Sequence, residues 1–268
     1  MHPDPSFERP PAADPGPSLV ARHGGTVRRP AQPWTPTIHA LLRHLEAVGF
    51  AGCPRVVGDG YDELGNEVLT YVEGELVHPH AWSDEAVWRV GRLLRDLHEA
   101  TASFQPPPEA VWQPWFSRGA ADAEGVVVGH GDTGPWNVVA RGGLPVALID
   151  WELAGPIDRL DEVAATAWWN AQLHDDDVAE RQRLPDAAAR AAQLRSFLDG
   201  YQLPAADRAD LVSRMVEFAV RSCAWEATCA RVTPESTDPT PLWALAWRAR
   251  AAAWMLRHRA MLQHAIER

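Results

Sequence analysis

Gly129-His130-Gly131-Asp132-Thr133-Gly134-Pro135-Trp136-Asn137 is the stretch on which the fold reading turns. It places an aspartate five positions before an asparagine, in a loop between the apolar runs Val126 to Val128 and Val138-Val139. A third run, Val146-Ala147-Leu148-Ile149, closes on Asp150, eighteen residues after Asp132. Short Val/Ile-rich runs bounded by Gly, Pro and Asn read as buried strands, and loop residues at the ends of such strands are held rigidly toward clefts. Asp or Asn alone in a turn commonly does no more than bond the local backbone. Asp132, Asn137 and Asp150 together, each at the end of an apolar run, suggest chemistry.

Phosphoryl transfer accounts for these residue types. It needs hard oxygen ligands for a divalent cation and a carboxylate that orients an attacking hydroxyl and accepts its proton. Asn137 and Asp150 supply the ligands for Mg²⁺ in this reading, and Asp132 the base. His130 next to them could suggest a metal-dependent hydrolase, but no second histidine lies at ligand spacing, and a loop histidine more often bonds backbone.

Outward from this centre, the chain divides by composition. Residues 1–17 carry six prolines and no apolar periodicity, the pattern of a mobile tail. Over residues 18–74, Ser18 to Arg22 and Thr26 to Arg29 flank His23-Gly24-Gly25 as a hairpin. Thr35-Pro36 opens a helix with Thr35 as N-cap, and further strands are predicted at Arg55 to Val57 and Glu67 to Val72. From 75 to 268 the composition turns helical. Ser83 with Asp84-Glu85-Ala86 reads as a capped start for a helix whose apolar stripe is Val87, Val90, Leu93, Leu94 and Leu97, ending near His98. A proline-rich connector follows at 105–114, and the chain beyond about 158 is Ala-, Leu- and Trp-rich with helical periodicity.

His130-Gly131-Asp132 with Asn137, Leu148-Ile149-Asp150-Trp151-Glu152, and the helix end Leu93-Leu94-Arg95-Asp96-Leu97-His98 resemble the aminoglycoside phosphotransferase family, over roughly residues 18–170. The resemblance implies an α+β, bilobal protein-kinase-like fold: a small, abbreviated β-rich lobe with one helix, then a larger, mostly helical lobe. It implies ATP or GTP as donor, Mg²⁺, a hydroxylated small molecule as acceptor, Asp132 as catalytic base, Asn137 and Asp150 as metal ligands, and the backbone of Thr70, Tyr71 and Val72 as the seat of the nucleotide base. Gly131 stands where regulated protein kinases carry an arginine that reads a phosphorylated loop. The short span Trp151 to Pro156 leaves no room for such a loop, so a metabolite or drug suits the site better than a protein.

The chain departs from that family in one respect. All 25 of its Lys and Arg residues are arginines. Schiff-base chemistry and a Walker A loop are excluded, and the family's phosphate-gripping lysine has no counterpart of its own type. Strand alternation in Thr26-Val27-Arg28-Arg29 puts Val27 inward and makes Arg28 the first candidate for that position, with Arg29 second. Glu46, on the helix that would supply a partner carboxylate, has no clear direction. The missing lysine also supports an alternative, a pseudokinase that binds nucleotide without efficient transfer.

Composition bounds the partners. A net charge of −11 argues against nucleic acid, and either keeps the chain soluble or draws in a cationic compound. Three cysteines without paired spacing imply free thiols. With no apolar run long enough to span a bilayer and no signal pattern, a cytoplasmic location and no membrane partner are expected, and no protein partner is evident. Among the thirteen tryptophans, Trp168-Trp169, Trp225, Trp243, Trp247 and Trp254 fall on late helices. They serve either as core or as an aromatic cage with Glu152, Asp158 or Glu226 for an amine.

Overall fold

In the computed structural model, residues 21–120 and 123–267 are described; the Pro-rich segment 1–17 and the start of the first expected strand lie outside them. The strands and helices run in the order β1 Ala21–His23, β2 Thr26–Pro30, α1 Thr35–Ala47, β3 Val56–Tyr61, β4 Asn66–Thr70, β5 Glu75–Leu76 and α2 Asp84–Thr101. Then come β6 Val126–Gly129, β7 Val138–Arg141, β8 Leu144–Leu148 and β9 Gly155–Asp158. The helical remainder is α3 Arg159–Asn170, α4 Asp176–Arg181, α5 Ala187–Tyr201, α6 Ala205–Arg208, α7 Leu211–Cys229, α8 Pro239–Arg257 and α9 Arg259–Glu267.

The first four strands form one antiparallel sheet in the order β1-β2-β4-β3. Gly24 takes a positive φ in the β1–β2 turn, as expected for a two-residue hairpin. Helix α1 buries Ile38, Leu41, Leu42 and Leu45, a helical-period stripe that joins Leu69 of β4 in the core. Its N-cap is Trp34 rather than Thr35, because the Thr35 hydroxyl turns back to accept from Gln32 N at 2.9 Å. The chain then crosses into α2, where Ser83 caps the helix by accepting from Ala86 N at 3.2 Å, a contact of about 1 kcal/mol. Helix α2 buries Val87, Val90, Leu94 and Leu97 and runs on to Thr101, one turn beyond the expected end.

Two small sheets accompany the helical part: β5-β7-β8, and β6 paired with β9. Strand β9 is absent from the sequence reading, since Gly155-Pro156-Ile157-Asp158 is short and contains a proline. The pairing of β6 with β9 brackets the loop carrying Asp132, and β7 with β8 leads to Asp150. The architecture is thus α+β and two-lobed, a small antiparallel sheet with one helix followed by a larger, mostly helical part. No helix among the described residues is long and apolar enough to cross a membrane.

Candidate active site

The loop after β6 is fixed from below by buried polar groups. Asp132 N–H donates to His130 Nδ1 at 3.2 Å, so Nε2 carries the imidazole proton and donates it to Ile149 O at 3.0 Å. Burial, only partly opposed by Glu162 and Asp150, lowers the His130 pKa and keeps the ring neutral. Both ring nitrogens are committed to the loop, which removes His130 as a metal ligand. Glu162 of α3, 1% exposed, accepts from Gly131 N at 2.7 Å and pairs with His98 of α2 at 2.7 Å; Tyr201 of α5 lies 2.9 Å from the other ring nitrogen. Burial raises the Glu162 pKa, but the His98 hydrogen bond and charge and the Gly131 N–H together outweigh it, and the carboxylate stays ionised. Position 131 requires glycine twice over: its φ is +83°, and a Cβ there would stand 2.5 Å from Leu153 O.

On this platform the Asp132 carboxylate is held at both oxygens. Trp136 Nε1–H donates to Oδ1 at 3.0 Å and Asn137 Nδ2–H to Oδ2 at 2.8 Å, while the same amide nitrogen donates to Asp132 O at 2.9 Å. With its amide hydrogens turned to Asp132, Asn137 presents its amide oxygen elsewhere. Its main-chain carbonyl accepts from Ile149 N at 2.9 Å, which sets Asp150 one residue beyond this bridge. Asp150 has a left-handed backbone, φ 65° and ψ 70°, costly for a residue with a side chain and typical of functional sites.

The two arginines of β2 exchange the places expected of them. Arg28 lies toward Asp62 at 3.6 Å, whereas Arg29 Nη1–H donates to Asp150 Oδ1 at 2.8 Å and stands 3.4 Å from Glu152. The physical reason is that the face of the sheet packed on α1 is also the face that reaches the Asp150 loop. The residue two along from Val27, not its neighbour, therefore arrives there. Arg29 also donates from Nε to Glu67 of β4. Burial lowers the Arg29 pKa, but the charges of Glu67, Glu152 and Asp150 outweigh it and leave it raised. Glu46 is exposed and plays no part in this group.

Thr70 ends β4, with its N–H on Arg55 O at 2.8 Å and its hydroxyl accepting from Arg55 N. Tyr71 N–H donates to Gly25 O at 2.8 Å, and Arg22 lies over the Tyr71 ring at 3.7 Å. The Tyr71 amide is thus engaged by the β1–β2 turn, with Val72 next in the chain.

Asp132 and Asp150 open into one cavity of about 330 Å³. Trp34, Trp115, Phe116, Trp136, Trp169 and Trp225 supply its aromatic wall, and Glu152 and Glu226 add carboxylates. The tryptophans therefore divide: Trp168, Trp247 and Trp254 are core, and Trp225 and Trp169 face the cavity. Asp158 takes no part in the wall, because it caps α3 through Leu160 N and Asp161 N. No cluster of three His, Cys, Asp or Glu residues able to hold a metal occurs among the described residues. Mg²⁺ needs no such cluster: it takes one or two carboxylates and completes its shell with phosphate oxygens and water. An amide oxygen from Asn137 and a carboxylate from Asp150 are a donor set of that kind. Sequence reasoning missed Trp136, Glu162, Glu67 and the cavity's Trp34 and Trp115; only the GHGD-type loop with its following Trp could have pointed to the first.

Comparison with known proteins agrees with this fold. The signature of the phosphotransferase enzyme family matches residues 19–126. The chain belongs to that family and is a small-molecule phosphotransferase acting on hydroxyl groups. Over 251 residues, 94% of this chain and 96% of the relative, it is 53% identical to the trifolitoxin immunity protein of Rhizobium leguminosarum bv. trifolii. Its fold is similar to an amicoumacin kinase solved with AMP-PNP, Ca²⁺ and its ligand, at TM-score 0.62 and 13% identity over 89% of each chain. It is also similar to a choline/ethanolamine kinase family protein from Mesorhizobium loti, at TM-score 0.57 and 15% identity over 92% of this chain and 88% of that one. An aminoglycoside phosphotransferase from Alicyclobacillus acidocaldarius gives TM-score 0.56 and 19% identity over 95% and 94%.

Proposed function

We propose that this protein transfers the γ-phosphoryl group of ATP or GTP to a hydroxyl of a small toxin and thereby protects the cell that makes it. The observation that carries the reading is the Asp132 carboxylate, fixed at both oxygens by Trp136 and Asn137 and opening into an aromatic cavity that also contains Asp150. A carboxylate so held is oriented for one task, accepting a proton from an acceptor hydroxyl seated in the cavity. The acceptor oxygen then forms its bond to the γ-phosphorus as the bond to the bridging oxygen breaks. The hydroxyl proton passes to Asp132, and a nucleoside diphosphate leaves. Asn137 and Asp150 would hold Mg²⁺, whose positive charge offsets that of the phosphates. Arg29 is the phosphate-facing cation in place of a lysine, and the Thr70 to Val72 backbone is the seat proposed for the base.

The relative's name supports an immunity role, and the cavity supports an acceptor with apolar or cationic surface, which aromatic faces and carboxylates both suit. A second reading, a nucleotide-binding protein with little transfer, is favoured by Arg29 being already paired with Glu67 and Asp150 and by Tyr71 N–H being taken by Gly25 O. Incubation with Mg²⁺, labelled ATP or GTP and trifolitoxin separates the two readings. Phosphorylated toxin is expected from the native protein. Asp132→Asn should lower kcat by roughly 10²- to 10⁴-fold without loss of fold. Nucleotide binding with no transfer to trifolitoxin or to a panel of hydroxylated amines and antibiotics would favour the second reading.

A further inference from the structure

We propose that Glu67, carried on β4 and backed by His39 of α1, is the positioning residue that sets Arg29 to receive the phosphates of a bound nucleotide. The inference rests on the nucleotide-dependent reading above. Arg29 and Glu67 are direct cross-strand partners in the β2–β4 register, so their side chains leave the sheet on one face. Glu67 is 1% exposed, and a carboxylate that deep must be paired at both oxygens. Its Oε2 takes Arg29 Nε–H and its Oε1 takes His39 Nε2–H at 3.1 Å. Burial raises its pKa, yet the His39 bond and the Arg29 charge outweigh burial, so Glu67 is held ionised.

The imidazole of His39 is itself boxed in. It is 2% exposed, its ring centroid lies 5.1 Å from that of Tyr61, and a Cβ at Gly60 would stand 2.4 Å from it. Gly60 is therefore the space in β3 that admits the ring. The helix beside the sheet contributes an imidazole, and the carboxylate comes from the strand.

The result is an arginine used from two ends. Glu67 anchors the Nε edge, while the Nη end reaches Asp150 and Glu152 at the cavity. An ammonium group is a single point of charge and offers no such division; a guanidinium fork can be tethered on one edge and still bind with the other. When Asp150 turns to another ligand, Nη1 is open to a phosphate oxygen while Nε stays on Glu67. This explains how a chain without lysine keeps a directed cation at the cleft.

Calorimetric titration of AMP-PNP and of the matching GTP analogue, each with Mg²⁺, into the native protein, Glu67→Gln, Arg29→Gln and the double variant tests the proposal, with melting temperatures recorded alongside. Glu67→Gln is expected to weaken nucleotide binding about 10-fold, and the double variant should bind no worse than Arg29→Gln alone, since both changes remove one interaction. A melting shift with native affinity, or losses that multiply in the double variant, would mean Glu67 is structural only and would overturn the proposal. A native protein that binds neither nucleotide removes the underlying reading as well. If Glu67→Gln does not fold, Glu67→Asp, which withdraws the charge by one methylene, should still weaken binding; unchanged affinity there overturns the proposal equally.

Discussion

The two sides of the cleft hold their charged groups by opposite means. Asp132 stands on a platform of backbone contacts: His130 to Ile149 O, Glu162 to Gly131 N, Asn137 to its own loop. Arg29 stands on side chains alone, Glu67 and behind it His39. A loop locked through its own backbone ties function to fixed sequence spacing. A pair of side chains on a sheet can trade partners between strand and helix as long as the face is kept. The first arrangement is rigid and readable, the second is replaceable and hidden.

Breaking the platform should produce the largest effect. Glu162→Ala leaves Gly131 N–H and His98 Nε2 buried without a partner, at a cost of about 3–5 kcal/mol of stability measured by chemical denaturation. Glu162→Gln is the sharper comparison. The amide oxygen still accepts from Gly131 N–H, and the amide nitrogen donates to His98 Nε2 if the ring moves its proton to Nδ1 and donates to Tyr201. Most of the stability should therefore return with Gln, which separates hydrogen bonding from charge at this site.

On the opposite wall, Arg29→Gln should weaken nucleotide binding roughly 10- to 100-fold, the worth of about 1.5–3 kcal/mol for a charged hydrogen bond. Arg28→Gln should cost less than a tenth of that in affinity, since Arg28 faces Asp62 at 3.6 Å with 43% of its side chain exposed. Equal effects at the two positions would mean that the strand presents both faces to the nucleotide.

The same contrast governs what the sequence discloses. The two lobes, the Ser83 cap, the Gly24-Gly25 hairpin and the meeting of Asp132 with Asn137 are legible because each is local: a periodicity, a cap, or a five-residue loop. Strand alternation says that Arg28 and Arg29 lie on opposite faces, but not which face looks at the cleft, because that depends on where α1 packs. Glu67 is legible only as the first residue of an expected strand, because its cross-strand partner is thirty-eight residues away in the sequence. Glu162 sits thirty-one residues after the Gly131 it serves, and no local pattern links them. Strand β9 is hidden by Pro156 and by its dependence on β6.

The smallest expected effect lies deeper in the large lobe and tests whether acid sensitivity belongs to its core or to the cleft. His174 is 2% exposed; burial first, then the charges of Arg190 and His78, lowers its pKa to about 3. An unfolded imidazole binds its proton near 6.5, so the stability this group contributes is complete above that value. It is lost as pH falls from 6.5 toward 3, at roughly 1 kcal/mol per pH unit, because only the unfolded chain takes up the proton. His130 acts in the same direction. Glu67 and Glu162, held ionised by their partners, add their losses only below about 4.5. Melting curves between pH 7 and 5 should therefore slope downward, and His174→Phe, filling the space beside Trp247, should flatten that slope by about one proton's worth without altering the midpoint near pH 7 by more than its packing cost. An unchanged slope in His174→Phe would shift the acid response to His130, and with it to the platform beneath Asp132.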